Sequence, residues 1–328
     1  MKKYNVAIVG ATGLVGSTFL KILEERKFPI NNLILLASKR SAGKKIKFKG
    51  NTYIVEKLRP ESFEGDIDIA LFSAGGAISK EYAPIATSHG IIVIDNSSAW
   101  RMDDSIPLVV PEVNPKSAMN NLLIANPNCS TIQVVVPLKV LDDLYTIKRV
   151  VYSTYQAVSG SGIAGIRDLQ NGIKGEAPTN YPHPIAFNCL PHIDVFTEDG
   201  YTKEELKMIN ETRKILDRPN LPITSTCVRV PVENSHAVSV NLEFEKEFDI
   251  DELKMALSNK EGIILEDDVK NNIYPMPINA TGSDKVFVGR IRRDKSIKSG
   301  INLWVVADNI RKGAASNTVQ IAELIINN

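Results

Sequence analysis

Residues 4–16 read YNVAIVGATGLVG, and this stretch decides the predicted fold. The run Tyr4–Val9 is apolar apart from one asparagine, three glycines follow at every third position, and the helix-periodic segment Ser17–Arg26 comes next. A strand, a glycine-rich turn and a helix in this order can seat a pyrophosphate on the N–H groups at the helix N-terminus. The first two glycines are one residue further apart than in the commonest dinucleotide fingerprint. The alternative is therefore a turn that only lets strand and helix pack closely.

The same alternation continues along the first third of the chain. Four further apolar runs are typical of buried strands: Leu33–Ala37, Ile67–Phe72, Ile91–Asp95 and Leu122–Ala125. Helical or loop segments such as Lys80–His89 separate these runs. Strands that alternate with helices predict an α/β fold with a Rossmann-type, doubly wound parallel sheet.

The pattern changes after the helical segment Ile132–Leu144. Strand-like segments with alternating or β-branched residues dominate from here on: Arg149–Gln156, Thr226–Val232, Ala237–Phe244 and Val286–Asp294. Only a few helices are predicted among them (Lys203–Asp217, Ile250–Ser258), and the connections Gly160–Gly165 and Tyr181–Pro184 are rich in glycine and proline. This pattern predicts an α+β domain with a mixed or antiparallel sheet.

The length of the chain also favours two domains. Its 328 residues exceed the size at which a single core keeps growing. We place the first domain at residues 1–130, completed by a C-terminal helix within 309–328, and the second at residues 131–308. The C-terminal segment Gly313–Ile326 is amphipathic, and we expect it to return and pack on the first domain.

Composition excludes several classes of partner. The formal net charge is +1 with acids and bases interspersed, which argues against nucleic acid or a membrane surface. Three widely spaced cysteines form no disulfide framework and suit a reducing cytosol. The chain runs from its first residues directly into a strand, so we expect no secretory leader and a cytoplasmic location. No metal site is predicted.

The residues after the second strand favour one dinucleotide over the other. Proteins that prefer NAD place an acidic residue there for the ribose hydroxyls, whereas this chain has Ser38-Lys39-Arg40-Ser41. Two cations and two hydroxyls would accommodate a 2′-phosphate, so NADP is the predicted cofactor. The alternative is a solvated basic loop.

Cys129 is the most informative single residue. The break Asn126-Pro127-Asn128 follows a strand and precedes the helix Ile132–Leu144. A cysteine at a helix start faces backbone N–H groups and the positive end of the helix dipole, which favour the nucleophilic thiolate. The alternative for a lone cysteine is a buried structural thiol.

A thiolate nucleophile needs a proton-transfer partner, and four histidines are available. His236, in a predicted turn between two strands and close to an arginine, is the best candidate. His89 is predicted at the surface, while His183 and His192 lie in proline-flanked turns. Gln156, at the end of a predicted strand, could orient a carbonyl or an amide, or could be an ordinary edge residue.

Charged side chains indicate an anionic substrate. Arg101 follows a predicted sheet strand, and Arg229 on another strand could bind a carboxylate through two hydrogen bonds. Glu211 and Lys214 are three residues apart in a predicted helix, so both can face one way. The alternative for each is a surface ion pair.

Taken together, these residues resemble the aspartate-semialdehyde dehydrogenase family over nearly the whole chain. The most specific markers are the sequences NPNCST at 126–131 and YQAVSG at 155–160. Further markers are Gly10–Gly16, Asp95–Arg101, Val110–Asn114, Cys227–His236, Val288–Arg290 and Asp308–Ala315.

The resemblance implies an NADPH-dependent reductive dephosphorylation of L-aspartyl-4-phosphate to L-aspartate 4-semialdehyde through a cysteine thioester. It implies a place in the biosynthesis of lysine, threonine, methionine, isoleucine and diaminopimelate, and a homodimer whose second domain is catalytic and dimerising. For the catalytic residues it implies that Cys129 is the nucleophile, His236 the general acid/base, and Gln156 the residue that orients the intermediate.

It also implies the binding residues. Arg229 and Glu211 would bind the substrate carboxylate and ammonium, and Arg101 and Lys214 the phosphate. NADP would contact Gly10, Thr12, Gly13, Leu14, Val15, Arg40, Ser41, Ser159, Gly160 and Asn309. The chain is shorter than other members between Gly162 and Pro184, which leaves the geometry of the dimer and any higher assembly open.

Three alternatives remain at this level. N-acetyl-glutamyl-phosphate reductase has similar architecture and chemistry but has no need of a carboxylate such as Glu211. A catalytically inactive nucleotide-binding relative should have lost Cys129, Gln156 or His236. A glyceraldehyde-phosphate-type dehydrogenase shares the Cys/His pairing, but Arg229 with Glu211 suits an amino acid better than a sugar phosphate.

Overall fold

A computed structural model describes residues 2–327 of the chain. Contacts divide it into two compact units. One comprises the residues up to Pro127 together with those from Ala314 onward, and the other comprises Asn128–Gly313. No helix within residues 2–327 combines the length and apolar character needed to cross a membrane.

The first unit is an open parallel sheet with helices on both faces. Its elements before residue 128 are β1 (Tyr4–Val9), α1 (Leu14–Glu25), β2 (Ile30–Ala37), β3 (Lys45–Phe48), β4 (Asn51–Ile54), β5 (Glu56–Lys57), β6 (Ile69–Phe72), α2 (Gly76–Ser88), β7 (Ile92–Asp95) and β8 (Leu123–Ala125). The sheet order is β5-β2-β1-β6-β7-β8, and every pair in it is parallel. This confirms the predicted doubly wound sheet. The antiparallel hairpin β3–β4 lies outside it and carries no strong sequence signal.

Alternate side chains of β1 reach two separate cores, as expected for a strand covered on both faces. Val6 and Ile8 belong to one core and Ala7 and Val9 to the other. The last helix, α8 (Ser316–Ile326), packs into the first of these cores beside α1.

The second unit is built on a six-stranded mixed sheet. Its elements are α3 (Cys129–Tyr145), β9 (Ile147–Gln156), α4 (Gly162–Ile173), α5 (Lys203–Ile215), β10 (Ile223–Arg229), β11 (His236–Phe244), α6 (Ile250–Ser258), β12 (Ile263–Leu265), α7 (Pro277–Ala280), β13 (Val286–Asp294) and β14 (Gly300–Ala307). The order is β10-β9-β11-β14-β13-β12. The two outer pairs are parallel and the three inner pairs antiparallel, which confirms the mixed sheet.

Local details of the second unit differ from the sequence prediction. The strand expected at Thr226–Val232 ends already at Arg229, where Pro231 cannot donate to a ladder. The connection Gly160–Gly165 is not a loop throughout, because α4 begins at Gly162. A π-helical turn over Arg311–Ala315 precedes α8. These differences lie where glycine or proline sits close to a functional residue.

Candidate active site

Cys129 is the first residue of α3, so the predicted position at a helix start is confirmed. The residue before it caps the helix: Asn128 Oδ1 accepts hydrogen bonds from the backbone N–H groups of Ser130 (2.9 Å) and Thr131 (3.3 Å). Cys129 is half-buried and is not in a disulfide within the described chain. The helix therefore presents its sulfur at the positive end of the dipole.

A backbone segment lies directly against this cysteine. A Cβ atom built on Gly313 would stand 2.9 Å from Cys129 Cβ and 3.2 Å from its Cα. Gly313 also donates its backbone N–H to the carbonyl of Asp308 (2.9 Å), which closes the turn. Only glycine permits this close approach.

His236 is the first residue of β11 rather than part of a turn, which corrects the sequence prediction. Its imidazole is fully buried. Nδ1 accepts the backbone N–H of Ala157 (2.9 Å), and Nε2 is buried without a hydrogen-bond partner among the described residues. The neutral ring therefore carries its proton on Nε2. Burial, together with the charge of Arg229, lowers the pKa of His236 well below its usual value.

One hydrogen bond links the helix of Cys129 to the strand of His236. Gln133 lies one turn after Cys129 in α3 and is fully buried. Its Nε2 donates to the backbone carbonyl of His236 (3.1 Å). Cys129 and His236 are thus carried by two elements that are joined at this point.

Arg229 ends β10 directly beside Gln156, its register partner on β9. Its Nη1 donates to the carbonyl of Ala157 (2.8 Å), while its buried Nε has no hydrogen-bond partner among residues 2–327. A Cβ on Gly160 would stand 2.7 Å from Arg229 Nη1 and 3.3 Å from His236 Nε2. Two buried N–H groups without acceptors among the described residues, Arg229 Nε and His236 Nε2, belong to side chains that both border Gly160. They indicate a site built for a ligand that brings acceptors.

The amide of Gln156 is held at both ends. Its Nε2 donates to Glu204 Oε1 (3.0 Å), and its Oε1 accepts the hydroxyl of Thr154 (3.0 Å). Gln156 ends β9 as predicted and is almost fully buried. The same Glu204 oxygen accepts Nδ2 of Asn128 (2.9 Å), so Gln156 is linked to the residue that precedes Cys129.

Glu211 and Lys214 both lie on α5, as predicted. Glu211 is buried, and its Oε2 accepts the backbone N–H of Asn128 (2.6 Å), which places this carboxylate at the residue that precedes Cys129. Lys214 is half-buried. Arg101 belongs to the first unit, where it is buried and donates to the backbone carbonyls of Asn126 (2.9 Å) and Asn96 (3.0 Å).

The glycine loop of the first unit borders a cavity of about 280 Å³. Gly10 has φ +88°, and a Cβ on it would meet the carbonyl oxygen of Ser73 at 2.2 Å. Thr12 Oγ1 donates to Ser41 Oγ (3.2 Å), so the loop after β2 lies beside the glycine loop. Of the other predicted cofactor residues in this unit, Gly13 is the N-cap of α1, Leu14 and Val15 open that helix, and Arg40 is exposed.

The remaining predicted cofactor residues form a cluster in the second unit. The side chains of Ser159 and Asn309 are hydrogen-bonded to each other (Nδ2 to Oγ, 3.0 Å). Asn309 Oδ1 also accepts the backbone N–H of Ser235, the neighbour of His236 (2.9 Å). Ser159, Gly160 and Asn309 thus adjoin the histidine.

The other two cysteines differ from Cys129 in their surroundings. Cys227 is fully buried, and burial, together with the nearby Glu204 carboxylate, raises the pKa of its thiol to about 12. It remains a thiol at neutral pH and is a poor nucleophile. Cys189 is exposed on the surface.

Four residues of the site were missed in the sequence. Asn128 could have been found, because asparagine before Cys-Ser-Thr at a helix start is a capping pattern. Gln133 in an apolar helix gave only a weak signal. Glu204 and Gly313 gave none, because their roles depend on contacts with residues at least 48 positions away.

Both units of the chain are similar to domains of known proteins. Two family models match, the semialdehyde dehydrogenase NAD binding domain over residues 5–121 and the semialdehyde dehydrogenase dimerisation domain over residues 138–312. An aspartate-semialdehyde dehydrogenase from Aquifex aeolicus (strain VF5) is 59% identical over 98% of both chains.

Solved structures match as well. The crystal structure of aspartate semialdehyde dehydrogenase II from Vibrio cholerae complexed with ASA has a TM-score of 0.95, is 47% identical and covers 100% of this chain and 99% of that one. The structure of the Candida albicans enzyme with NADP has a TM-score of 0.79 at 25% identity, with 98% of both chains covered.

With one family model matched in each of its two units, the chain is an oxidoreductase of the semialdehyde dehydrogenase class. The similarity to the Aquifex relative narrows this class: the chain belongs to the aspartate-semialdehyde dehydrogenase family. The predicted resemblance, fold class and enzyme class are confirmed. The alternative of an N-acetyl-glutamyl-phosphate reductase is not favoured.

Proposed function

We propose that the chain catalyses the NADPH-dependent reductive dephosphorylation of L-aspartyl-4-phosphate to L-aspartate 4-semialdehyde, in the cytoplasm, as a step in aspartate-family amino-acid biosynthesis. One observation carries the proposal. The second unit combines a cysteine at a capped helix start with two buried donors, His236 Nε2 and Arg229 Nε, that have no acceptor among the described residues. An acyl substrate with a carboxylate would satisfy the arginine and give the histidine an oxygen to contact.

Cys129 is the proposed nucleophile. Its thiolate attacks the acyl carbon, the bond from carbon to sulfur forms, and the bond from carbon to the phosphate oxygen breaks. Arg101 and Lys214 would bind the departing phosphate, and Arg229 and Glu211 the α-carboxylate and ammonium of the substrate. A thioester accepts a hydride more readily than a carboxylate does, which is the chemical gain from the covalent step.

His236 and Gln156 would act on the oxygen that becomes negative when the hydride arrives. The neutral imidazole carries its proton on Nε2, so it can donate to this oxygen. Gln156 retains a second amide hydrogen after donating to Glu204. Cleavage of the bond between carbon and sulfur then releases the aldehyde and restores the thiolate.

The residues of the first unit fit a dinucleotide, because Gly10 leaves room beside Ser73 and the adjoining cavity lies at a helix N-terminus. When bound, NADPH supplies the hydride. Gly10, Thr12, Gly13, Leu14 and Val15 would hold the pyrophosphate, and Ser159, Gly160 and Asn309 the nicotinamide end. Arg40 and Ser41, in a loop without an acidic residue, favour NADP over NAD.

The roles of the two domains follow from these assignments. Residues 1–130, completed by 309–328, would be the NADP-binding domain, and residues 131–308 the catalytic and dimerisation domain. The match to a dimerisation domain supports a homodimer.

The decisive assay incubates the purified protein with aspartate semialdehyde, inorganic phosphate and NADP and follows reduced nicotinamide by absorbance. We expect reduction only when phosphate is present, because the thioester is resolved by phosphate. Reduction at equal rate without phosphate would indicate an aldehyde dehydrogenase that uses water and would reject the proposal. The N-acetylated glutamate semialdehyde serves as the matched control and should not be oxidised.

A further inference from the structure

Glu204 is a buried carboxylate at the second position of α5, and the proposed chemistry does not use it. Oε1 accepts two amide donors, Asn128 Nδ2 (2.9 Å) and Gln156 Nε2 (3.0 Å), and Oε2 accepts Lys207 Nζ (3.1 Å). Burial raises the pKa of Glu204, but the charge of Lys207 and the two amide donors outweigh it, so the pKa lies below its usual value. The group is therefore ionised at neutral pH.

An ionised carboxylate only accepts hydrogen bonds, and this fixes how an amide beside it must point. Gln156 has to turn its NH₂ end toward Glu204, and its Oε1 then faces the hydroxyl of Thr154. A flipped amide would bring a carbonyl oxygen against the carboxylate and lose the hydrogen bond to Glu204. The Thr154 hydroxyl can donate or accept, so the carboxylate is the group that selects the orientation. The free energy cost of that flip is largest in a buried site such as this one.

The carboxylate is itself held in place. Lys207 Nζ lies between Glu204 Oε2 (3.1 Å) and Asp194 Oδ2 (2.6 Å). Asn128 fixes Oε1 from the other side, because its own Oδ1 is engaged in capping α3. Glu204 thus receives donors from three elements and cannot turn away from Gln156 without losing them.

We propose that Glu204 is a positioning residue that holds the amide of Gln156 in the one orientation that offers an N–H to the reacting oxygen. The inference rests on the proposed role of Gln156. A neutral glutamine at position 204 could present either an oxygen or an NH₂ group, and Gln156 would then adopt both orientations.

The neighbouring Glu205 provides a matched control. It is also a buried glutamate on α5, but its carboxylate accepts the backbone N–H groups of Thr202 (2.7 Å) and Cys227 (3.0 Å). E204Q should lower kcat in the phosphate-dependent assay roughly 10- to 100-fold, as expected when one charge-assisted hydrogen bond is lost from the transition state. Its KM for aspartate semialdehyde should change by less than about threefold. E205Q should keep kcat within about threefold of the wild type.

A double-mutant cycle with Q156A then tests the route of the effect. If Glu204 acts through Gln156, E204Q combined with Q156A should be no more than about twofold slower than Q156A alone. A wild-type kcat in E204Q would overturn the proposal. It would also be overturned if the fold-losses in kcat of the two single variants multiply in the double variant; Glu204 would then act through the Asn128 cap.

A second variant keeps the test valid if E204Q does not fold. E204D retains the charge but withdraws the acceptor from Gln156, so it should show a similar loss of kcat while its circular dichroism spectrum stays that of the folded wild type. Undiminished kcat would count against the role. The wild-type rate separates this question from the proposed function. A wild type without phosphate-dependent activity refutes the function, whereas an active wild type with an active E204Q refutes only the role of Glu204.

Discussion

Two helix N-termini in this chain have opposite designs. Helix α1 begins after Gly13, which provides no side-chain cap. Helix α3 begins after Asn128, whose side chain accepts two of the first backbone N–H groups. Both ends carry the partial positive charge of a helix dipole. At the start of α1 no side chain caps the backbone N–H groups, so they can bind a phosphate. At the start of α3 two backbone N–H groups are hydrogen-bonded to Asn128, and the first residue carries a thiol.

The contrast suggests how one motif serves two tasks. An open end binds an external anion, so small residues that admit a ligand are needed there. A capped end holds a covalent nucleophile still, so an ordered first turn is needed more than free space. The proposed chemistry requires both, and each can be disabled separately.

The largest effect is expected from Cys129→Ala at the capped end. Loss of the nucleophile should reduce turnover by several orders of magnitude, because no other group can form the thioester. Affinity for NADPH, measured by fluorescence titration, should stay unchanged because the glycine loop is untouched. Retention of more than about a tenth of wild-type activity would show that Cys129 is not the nucleophile.

Gly10→Ala tests the uncapped N-terminus of α1 instead. Its Cβ would lie 2.2 Å from the Ser73 carbonyl oxygen at a φ of +88°, so either the loop shifts or strain is stored. We expect destabilisation of about 2–3 kcal/mol and a marked loss of NADPH affinity.

Gly65→Ala serves as the matched control, because Gly65 has no proposed contact with the cofactor and a Cβ built on it would meet no atom within 4 Å. The rate of Cys129 alkylation by iodoacetamide should be the same in both variants. If the two variants bind NADPH with equal affinity, the close approach of Gly10 to Ser73 does not determine how the N-terminus of α1 binds the cofactor.

The two ends were not equally predictable from sequence. The glycine loop follows an apolar strand and precedes a periodic helix, so local pattern alone predicted the turn, although the helix begins at Leu14 rather than at Ser17. The position of Cys129 was also predicted, because a proline-containing break separates strand from helix. Its surroundings were not, since Gly313, Glu204 and Gln133 reach it or its partners through the tertiary fold. The start of the strand at His236 was predicted as a turn because the preceding residues, Pro231 to Ser235, include proline, asparagine and serine, which are typical of turns.

The pH dependence of stability provides a further comparison, because the second unit, which contains the capped end, holds the buried imidazole of His236, whereas residues 10–16 contain no titratable side chain. The native state keeps His236 neutral, with its pKa well below the usual 6.5, whereas the unfolded chain takes up a proton near that value. The unfolded state therefore binds more protons as the pH falls below 6.5, and stability is lost in that direction.

His236→Gln removes this contribution. Between pH 6.5 and 5, the apparent free energy of unfolding in urea should fall more steeply for the wild type than for the variant, by up to about 1.4 kcal/mol per pH unit. A uniformly lower stability of the variant at every pH leaves the comparison of slopes unaffected. Parallel curves for the two proteins would show that the native imidazole titrates normally and is not shielded as the structure implies.

Asn128 permits the most direct test of the cap, with the smallest expected effect. Asn128→Ala removes both the cap of α3 and the link to Glu204, whereas Asn128→Ser retains a capping oxygen and loses only the link. We expect the alanine variant to be less stable than the serine variant by about 1 kcal/mol, the usual value of an N-cap. Iodoacetamide should also alkylate Cys129 more slowly in the alanine variant at neutral pH, because a frayed first turn presents fewer aligned N–H groups to the thiolate. If the two variants match in both stability and alkylation rate, the side-chain cap does not distinguish α3 from α1, and the order of its first turn must come from the packing of Gln133 and Gly313.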